Sequence, residues 1–254
     1  MKNLTSAVLM LLISFTVVSQ EKQIELEYQF RLGQQEVAPL KLVGNGNQCL
    51  STITSIRSFA PGIKVLEDGS LEELEGETRY ETTYKYTFKD YISNTLICYD
   101  EINSKPYYIK ESGLNLFEWS IHKETQEILG YSCLKASACF RGRTYIAWFT
   151  TDLPFKAAPW KFHGLPGVIL KVESDDMYLE MTARQIDIVA SEGDIDNPYS
   201  NEKLTSWETY VNKYKSIRKQ EDDKLKAMFA KRGVPMPEFH LSKAEVIVEA
   251  NRKY

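Results

Sequence analysis

The sequence predicts a mainly β protein: a curved antiparallel sheet or half-barrel carrying one long C-terminal helix (α+β). Three observations predict it. Apolar residues alternate with polar ones at Ile24, Leu26, Tyr28, Phe30 and Leu32, and again at Tyr80, Thr82, Tyr84, Tyr86 and Phe88. That period of two is the mark of a half-buried strand. Two apolar stretches flank Arg141-Gly142-Arg143, a short glycine-containing link of the kind that closes a β-hairpin. After Thr205 the period changes, with Trp207, Tyr210, Val211, Tyr214 and Ile217 at helical spacing.

The elements follow in order. A first strand covers 23–32, and a short second one covers Leu40–Val43 before the Gly44-Asn45-Gly46 turn. Region 57–76 reads as loop, with Pro61-Gly62, Asp68-Gly69 and the acidic run Glu72–Glu75. The alternating tyrosines from Tyr80 begin a strand, and further short ones are expected at about Thr95–Glu101, Pro106–Lys110 and Leu114–Ile121. The hairpin strands are Tyr131–Phe140 and Thr144–Thr151. Three prolines (Pro154, Pro159, Pro166) make 152–166 an ordered loop, because proline cannot donate to a ladder. Gly167–Glu173 and Tyr178–Val189 resume the strand pattern, and Asp194–Tyr199 is turn-like. A helix over about 205–232 opens with Thr205 and Glu208 in capping-box spacing. It stops near Gly233, before Pro235 and Pro237, and Lys215–Lys226 is charged enough to be solvated. Val246–Val248 fits an edge strand or a loose tail. No repeat or linker interrupts the chain, so residues 20–254 read as a single domain.

The start of the chain reads as a secretory signal. Met1-Lys2-Asn3 is a basic opening, Leu4–Val18 an apolar run, and Ser19-Gln20 a small-residue exit with cleavage after Ser19. A spanning helix needs about 20 apolar residues. This run is shorter and holds Thr5, Ser6, Ser14 and Thr16. An exported protein is expected, periplasmic or outer-membrane-associated, with no transmembrane span once the signal is cleaved. Losing Lys2 takes the formal charge from −4 to −5. Mild acidity argues against nucleic acid or an anionic membrane as partner.

Four cysteines remain: Cys49, Cys98, Cys133 and Cys139. In an oxidising compartment all are disulfide candidates. If Tyr131–Phe140 is one strand, Cys133 and Cys139 share a face roughly 20 Å apart, too far to bridge. Each is left to pair with Cys49 or Cys98 or to stay free. No metal-ligand spacing occurs and no cofactor is implied.

The segment from Trp119 to Glu173 resembles the GLPGLI family of secreted Bacteroidota proteins. Trp119-Ser120-Ile121 and Gly130-Tyr131-Ser132-Cys133-Leu134-Lys135-Ala136 match its strands, and Phe140-Arg141-Gly142-Arg143 its hairpin. Gly164-Leu165-Pro166-Gly167-Val168-Ile169 matches the naming motif, with Val168 where the family has Leu. Ala158 stands where the family has Gly, and Cys139 is not a family feature. The resemblance implies a compartment and brings no reaction, since no activity is established for that family.

Candidate ligand-binding residues are Trp148, Trp160, Phe162, His163, Leu165, Arg141 and Arg143. Gly164, Leu165, Pro166 and Gly167 form either a buried corner or a rigid lip over a groove, with Trp160, Phe162 and Leu165 as its apolar edge. Period-2 geometry puts Arg141 and Arg143 on one side, where they grip an anion, pair with acids or cover aromatic rings. Trp119, Trp148 and Trp160 line a cavity or simply fill the core. Cys133 reads as a buried or bridged thiol. No catalytic residue is assigned, because His163 has no nucleophile or carboxylate at a recognised spacing. Three readings follow. A non-enzymatic envelope protein carries an apolar ligand, a lipid or peptide, in a sheet groove. Alternatively the chain is a docking module for an outer-membrane receptor or assembly, with a filled interior and an exposed patch or strand edge. The last reading is an uncharacterised hydrolase, which needs His163 beside a partner group.

Overall fold

A computed structural model describes residues 21–33, 35–59, 63–65, 71–73 and 79–233. The signal peptide, Pro235, Pro237 and Val246–Val248 lie outside these residues. The strands are β1 (Lys22–Leu32), β2 (Gln35–Gly44), β3 (Gln48–Phe59), β4 (Ile63–Val65), β5 (Leu71–Glu73), β6 (Arg79–Asp90) and β7 (Thr95–Ile102). They continue as β8 (Lys105–Lys110), β9 (Ser120–Ile128), β10 (Tyr131–Phe140), β11 (Arg143–Thr150), β12 (Val168–Ser174), β13 (Leu179–Ala190) and β14 (Leu204–Ser206), ahead of helix α1 (Trp207–Arg232).

Twelve strands form one open sheet in the order β14-β8-β7-β6-β3-β2-β1-β13-β12-β11-β10-β9, and β4 and β5 pair separately. Every contact in the large sheet is antiparallel except β14 with β8. The expected class, a curved mainly β sheet with one C-terminal helix, is what the chain adopts. In β1 the alternation holds: Ile24, Leu26, Tyr28 and Phe30 are buried while the residues between them are less so. The sheet curls so that strands far apart in sequence share a core. Leu40 and Leu42 of β2, Phe149 of β11 and Val172 of β12 belong to one cluster with Phe162 and Leu165 of the loop after β11. A smaller core lies at the other end, where Leu96, Ile109 and Leu114 pack with Tyr210, and Trp207, Val211 and Tyr214 close over it. The first turns of α1 therefore cover the β7–β8 end of the sheet. The later helical residues are mostly exposed.

Four local expectations change. The strand expected at Leu114–Ile121 begins only at Ser120, because Leu116 N–H turns back onto the Leu114 carbonyl at 2.7 Å. β3 occupies Gln48–Phe59, part of it in the stretch read as loop, because its serines and threonines mask the alternation. The helix cap is Ser206 rather than Thr205: its side chain accepts from Thr209 N–H, and Thr205 is spent in β14. Cys133 and Cys139 lie on opposite faces, the first buried and the second exposed. The β9–β10 register breaks between Leu134 and Ala136, and an irregularity of that kind shifts which alternate residues face inward. All four cysteines are free thiols.

Candidate functional site

The motif loop sits inside the curl of the sheet. Leu153, Phe155, Ala157, Ala158, Phe162 and Leu165 are all buried there. Its two central glycines have different reasons to be glycine. Gly164 adopts φ +99°, a left-handed backbone that side chains disfavour. Gly167 passes so close to the neighbouring strand that a Cβ would lie 2.0 Å from the Thr150 carbonyl oxygen.

Side-chain donors hold this loop and the start of β12 by their main-chain carbonyls. Lys89, fully buried, donates to Ala158 O at 2.5 Å and to Phe162 O at 2.9 Å. Trp119 Nε1 donates to His163 O at 2.7 Å, and Tyr28 donates to Ile169 O at 2.6 Å. Phe162 packs into an aromatic cluster with Phe117, Trp119, Tyr145 and Trp160. The loop is thus a plug in the sheet's interior.

Beside the plug is a recess of about 380 Å³. Its apolar wall comes from Leu114, Ala157, Leu165 and Ile169, with the Tyr91 side chain alongside. Its polar groups are Asn94, Asn115, Lys156 and His163. His163 Nε2 is buried and has no hydrogen-bond partner among the described residues. Burial, with the nearby Lys89 charge, lowers the His163 pKa to about 4, so the ring is neutral at pH 7. A neutral imidazole there offers a directed hydrogen bond and no charge.

The two hairpin arginines part company. Arg141 (φ 46°) and Gly142 (φ 81°) form the two-residue turn between the paired Phe140 and Arg143. Both turn residues are left-handed, so period-2 geometry ends at Phe140 and the arginines point to different partners. Arg141 makes a fork with Glu111 at 3.0 and 2.7 Å, and its guanidinium lies 3.3 Å from the Trp207 ring centroid. Lys161 Nζ reaches the same carboxylate at 2.8 Å. Burial pushes the Glu111 carboxyl up, but the Lys161 and Arg141 cations outweigh it and hold it below its ordinary value. Arg143 instead pairs with Asp176 at 2.7 Å and lies over Tyr178. Each arginine thus pairs with an acid and covers a ring.

Of the ligand-binding candidates, the structure brings His163 and Leu165 to the recess. Phe162 is core, and Trp160 is half-buried against it. Trp148 points to the other face of β11 from Tyr145, Ala147 and Phe149, between the cross-strand neighbours Lys135 and Lys171. It is separate from the recess because alternation along β11 places it so. Sequence reasoning missed Lys89, Glu111, Tyr91, Asn94 and Asn115. Lys89 carried no signal, since a lysine directly after Phe88 falls on the face of its strand that alternation reads as solvated.

The family described as "N-glycanase peptide, N-terminal domain" matches residues 76–212, more than half of the chain. Comparison with curated proteins returned no match. Among solved structures, PNGF-II in a C2 crystal form is similar at 17% identity and a TM-score of 0.49. That similarity covers 77% of this chain and 32% of PNGF-II. The P21 form gives 16% identity, a TM-score of 0.47, and coverage of 73% and 31%. The chain therefore spans about a third of the length of that protein.

Proposed function

The chain belongs to the N-glycanase peptide, N-terminal domain family, and from that premise we propose that it is a recognition module for glycosylated polypeptide, taking a sugar ring into the recess at His163. The observation that carries this reading is His163, a residue of the wall of a recess of mixed polarity, whose buried Nε2 has no hydrogen-bond partner among the described residues. A buried polar atom without a partner costs about 1–3 kcal/mol, and a ligand hydroxyl relieves that cost. Asn94 and Asn115 supply amides for further hydroxyls, while Leu114 and Leu165 suit the apolar face of a sugar. An acyl chain would leave those polar groups unpaired, so a sugar fits better than a lipid. The interior, where a carrier would need an open groove, is occupied by the loop.

Titration calorimetry tests this with one N-glycosylated peptide and the same peptide without its glycan. Binding of the glycosylated form alone is expected, weakened about tenfold in His163→Ala, the equivalent of one hydrogen bond. Equal binding of both peptides, or of neither, would sink the proposal.

A second reading, docking to an outer-membrane receptor or assembly, is favoured by β9. It ends the sheet, and nearly all of Ser120–Ile128 is exposed. A free edge accepts an added strand, although Lys123 and Glu124 discourage unspecific pairing. The apolar leader and the GLPGLI-type motifs support an exported location for either role. Finding Gln20 at the N-terminus of the secreted protein would support it, and an intact Met1 start would count against it.

A further inference from the structure

Cys49 and Lys89 are buried in the main core, and neither lines the recess. They are direct cross-strand neighbours in the β3–β6 register and both are fully buried. Side chains placed opposite one another in this way start from Cβ atoms about 5 Å apart. Both then turn to the same atom: Lys89 Nζ is 2.5 Å and Cys49 Sγ 3.8 Å from the Ala158 carbonyl oxygen. A thiol and an amine are thus gathered at one oxygen, inside the strands that hold the motif loop.

We propose that Cys49 and Lys89 form an oxidative sulfur–nitrogen cross-link, with hydrogen peroxide as the oxidant. Peroxide oxidises the Cys49 sulfur by two electrons. An S–O bond forms, the O–O bond breaks, and water leaves. The free amine of Lys89 then attacks the sulfenic sulfur. The N–S bond forms, the S–O bond breaks, and the departing hydroxide takes the amine proton as a second water. One thiol, one amine and one peroxide become one sulfenamide and two waters.

Three features of the surroundings favour this pair. Burial lowers the Lys89 pKa, against the opposing effect of Cys49, and so increases the share of free amine. Ala158, whose carbonyl oxygen Cys49 Sγ faces at 3.8 Å, lines the recess, which gives a small oxidant a way in. The other buried thiols are worse placed. Burial, assisted by Asp152, pushes Cys133 up to about 11, and Cys98 turns to the Ile109 carbonyl in the other core. The cross-link also has a consequence for the loop. A sulfenamide nitrogen has at most one hydrogen to donate, so it cannot hold both the Ala158 and Phe162 carbonyls. Oxidation therefore loosens the segment that carries His163.

Peptide mapping by tandem mass spectrometry tests this on the full chain. The protein is treated with graded hydrogen peroxide, its free thiols are alkylated, and it is digested. The expected product joins the Cys49 and Lys89 peptides at about 2 Da below their summed mass, rises with peroxide dose, and reverts on treatment with a thiol reductant. It should be absent from Cys49→Ser and Lys89→Arg. The wild-type map decides the matter even if those variants fold poorly. Recovering Cys49 alkylated, or as sulfinic acid with Lys89 unlinked, once exposed Cys139 is fully oxidised would overturn the proposal. A joined pair about 14 Da above the sum, with oxygen kept between sulfur and nitrogen, would overturn the direct bond.

Discussion

The two cores of this molecule are held by different means. Around the motif loop, side-chain donors grip main-chain carbonyls: Lys89 holds Ala158 and Phe162, Trp119 holds His163, and Tyr28 holds Ile169. Beneath α1, side chain meets side chain. Tyr210 donates to Asp100 at 2.5 Å, Asn103 to Glu221 at 2.5 Å, and Arg141 and Lys161 both lie over Trp207. A backbone held by buried donors has one way to sit, because each carbonyl left unpaired there is costly. A helix held by separate side-chain pairs can lose an outer one, such as the exposed Asn103–Glu221 pair, and remain. The loop is built as a fixed part of the sheet, and the helix as a cover attached to it.

The harshest way to break this contrast is Gly167→Ala. The new Cβ would meet the Thr150 carbonyl oxygen at 2.0 Å, and neither backbone can withdraw without opening β11 from β12. A loss of more than about 4 kcal/mol is expected, seen as failure to accumulate folded protein or as a collapsed urea midpoint. A variant as stable as the parent would show that the loop is not fixed. Next in size is Glu111→Gln, at the seam between the two regions. It leaves Arg141 and Lys161 facing a neutral amide, and should cost about 3 kcal/mol in urea unfolding.

Acid sharpens the comparison further. His163 is neutral in the folded protein down to about pH 4, against 6.5 for a free histidine. The unfolded chain therefore takes up this proton first as pH falls. Stability should decline from pH 6.5 towards 4, then level off for this group. Because the ring is partly exposed, about 1–2 kcal/mol is expected rather than the full value of the shift. In His163→Asn that part of the slope should vanish. Glu111 acts lower. Its carboxyl is held below 4.5, so the stability it contributes is present above that pH and is lost as pH falls through its folded value. A stability profile flat from pH 6.5 to 4 in the parent would remove His163 from the argument.

The sheet was legible because alternation and hairpin chemistry are local. Ile24 to Phe30 and the Arg141-Gly142 turn announce themselves within a few residues. The glycine-rich turn was legible too, although sequence could not say that Gly164 serves a left-handed φ and Gly167 a close approach. The site was harder to read because its members come from distant segments: Lys89 from β6, Trp119 from the stretch before β9, Glu111 from the end of β8. Polar residues that serve as internal donors look in sequence like any surface lysine or glutamate. Arg141 and Arg143 misled for a related reason, since the turn reverses the chain between them and alternation stops where φ becomes positive.

The smallest expected effect concerns where the helix begins, and it tests the cover directly. Spacing nominates Thr205 as the cap, but Ser206 Oγ accepts Thr209 N–H at 3.2 Å and donates to Thr209 Oγ1 at 2.9 Å. Ser206→Ala should cost about 1 kcal/mol, the usual value of a cap, and Thr205→Ala distinctly less. Amide hydrogen exchange gives the more telling readout. If α1 is a separable cover, Ser206→Ala speeds exchange in the first turn of α1 and in β14 and β8, and leaves β10 to β13 as they were. Equal acceleration in β11 and β12 would mean that the cap is felt across the seam at Glu111. The two cores would then unfold as one unit, and the contrast between a fixed loop and an attached helix would be one of geometry alone.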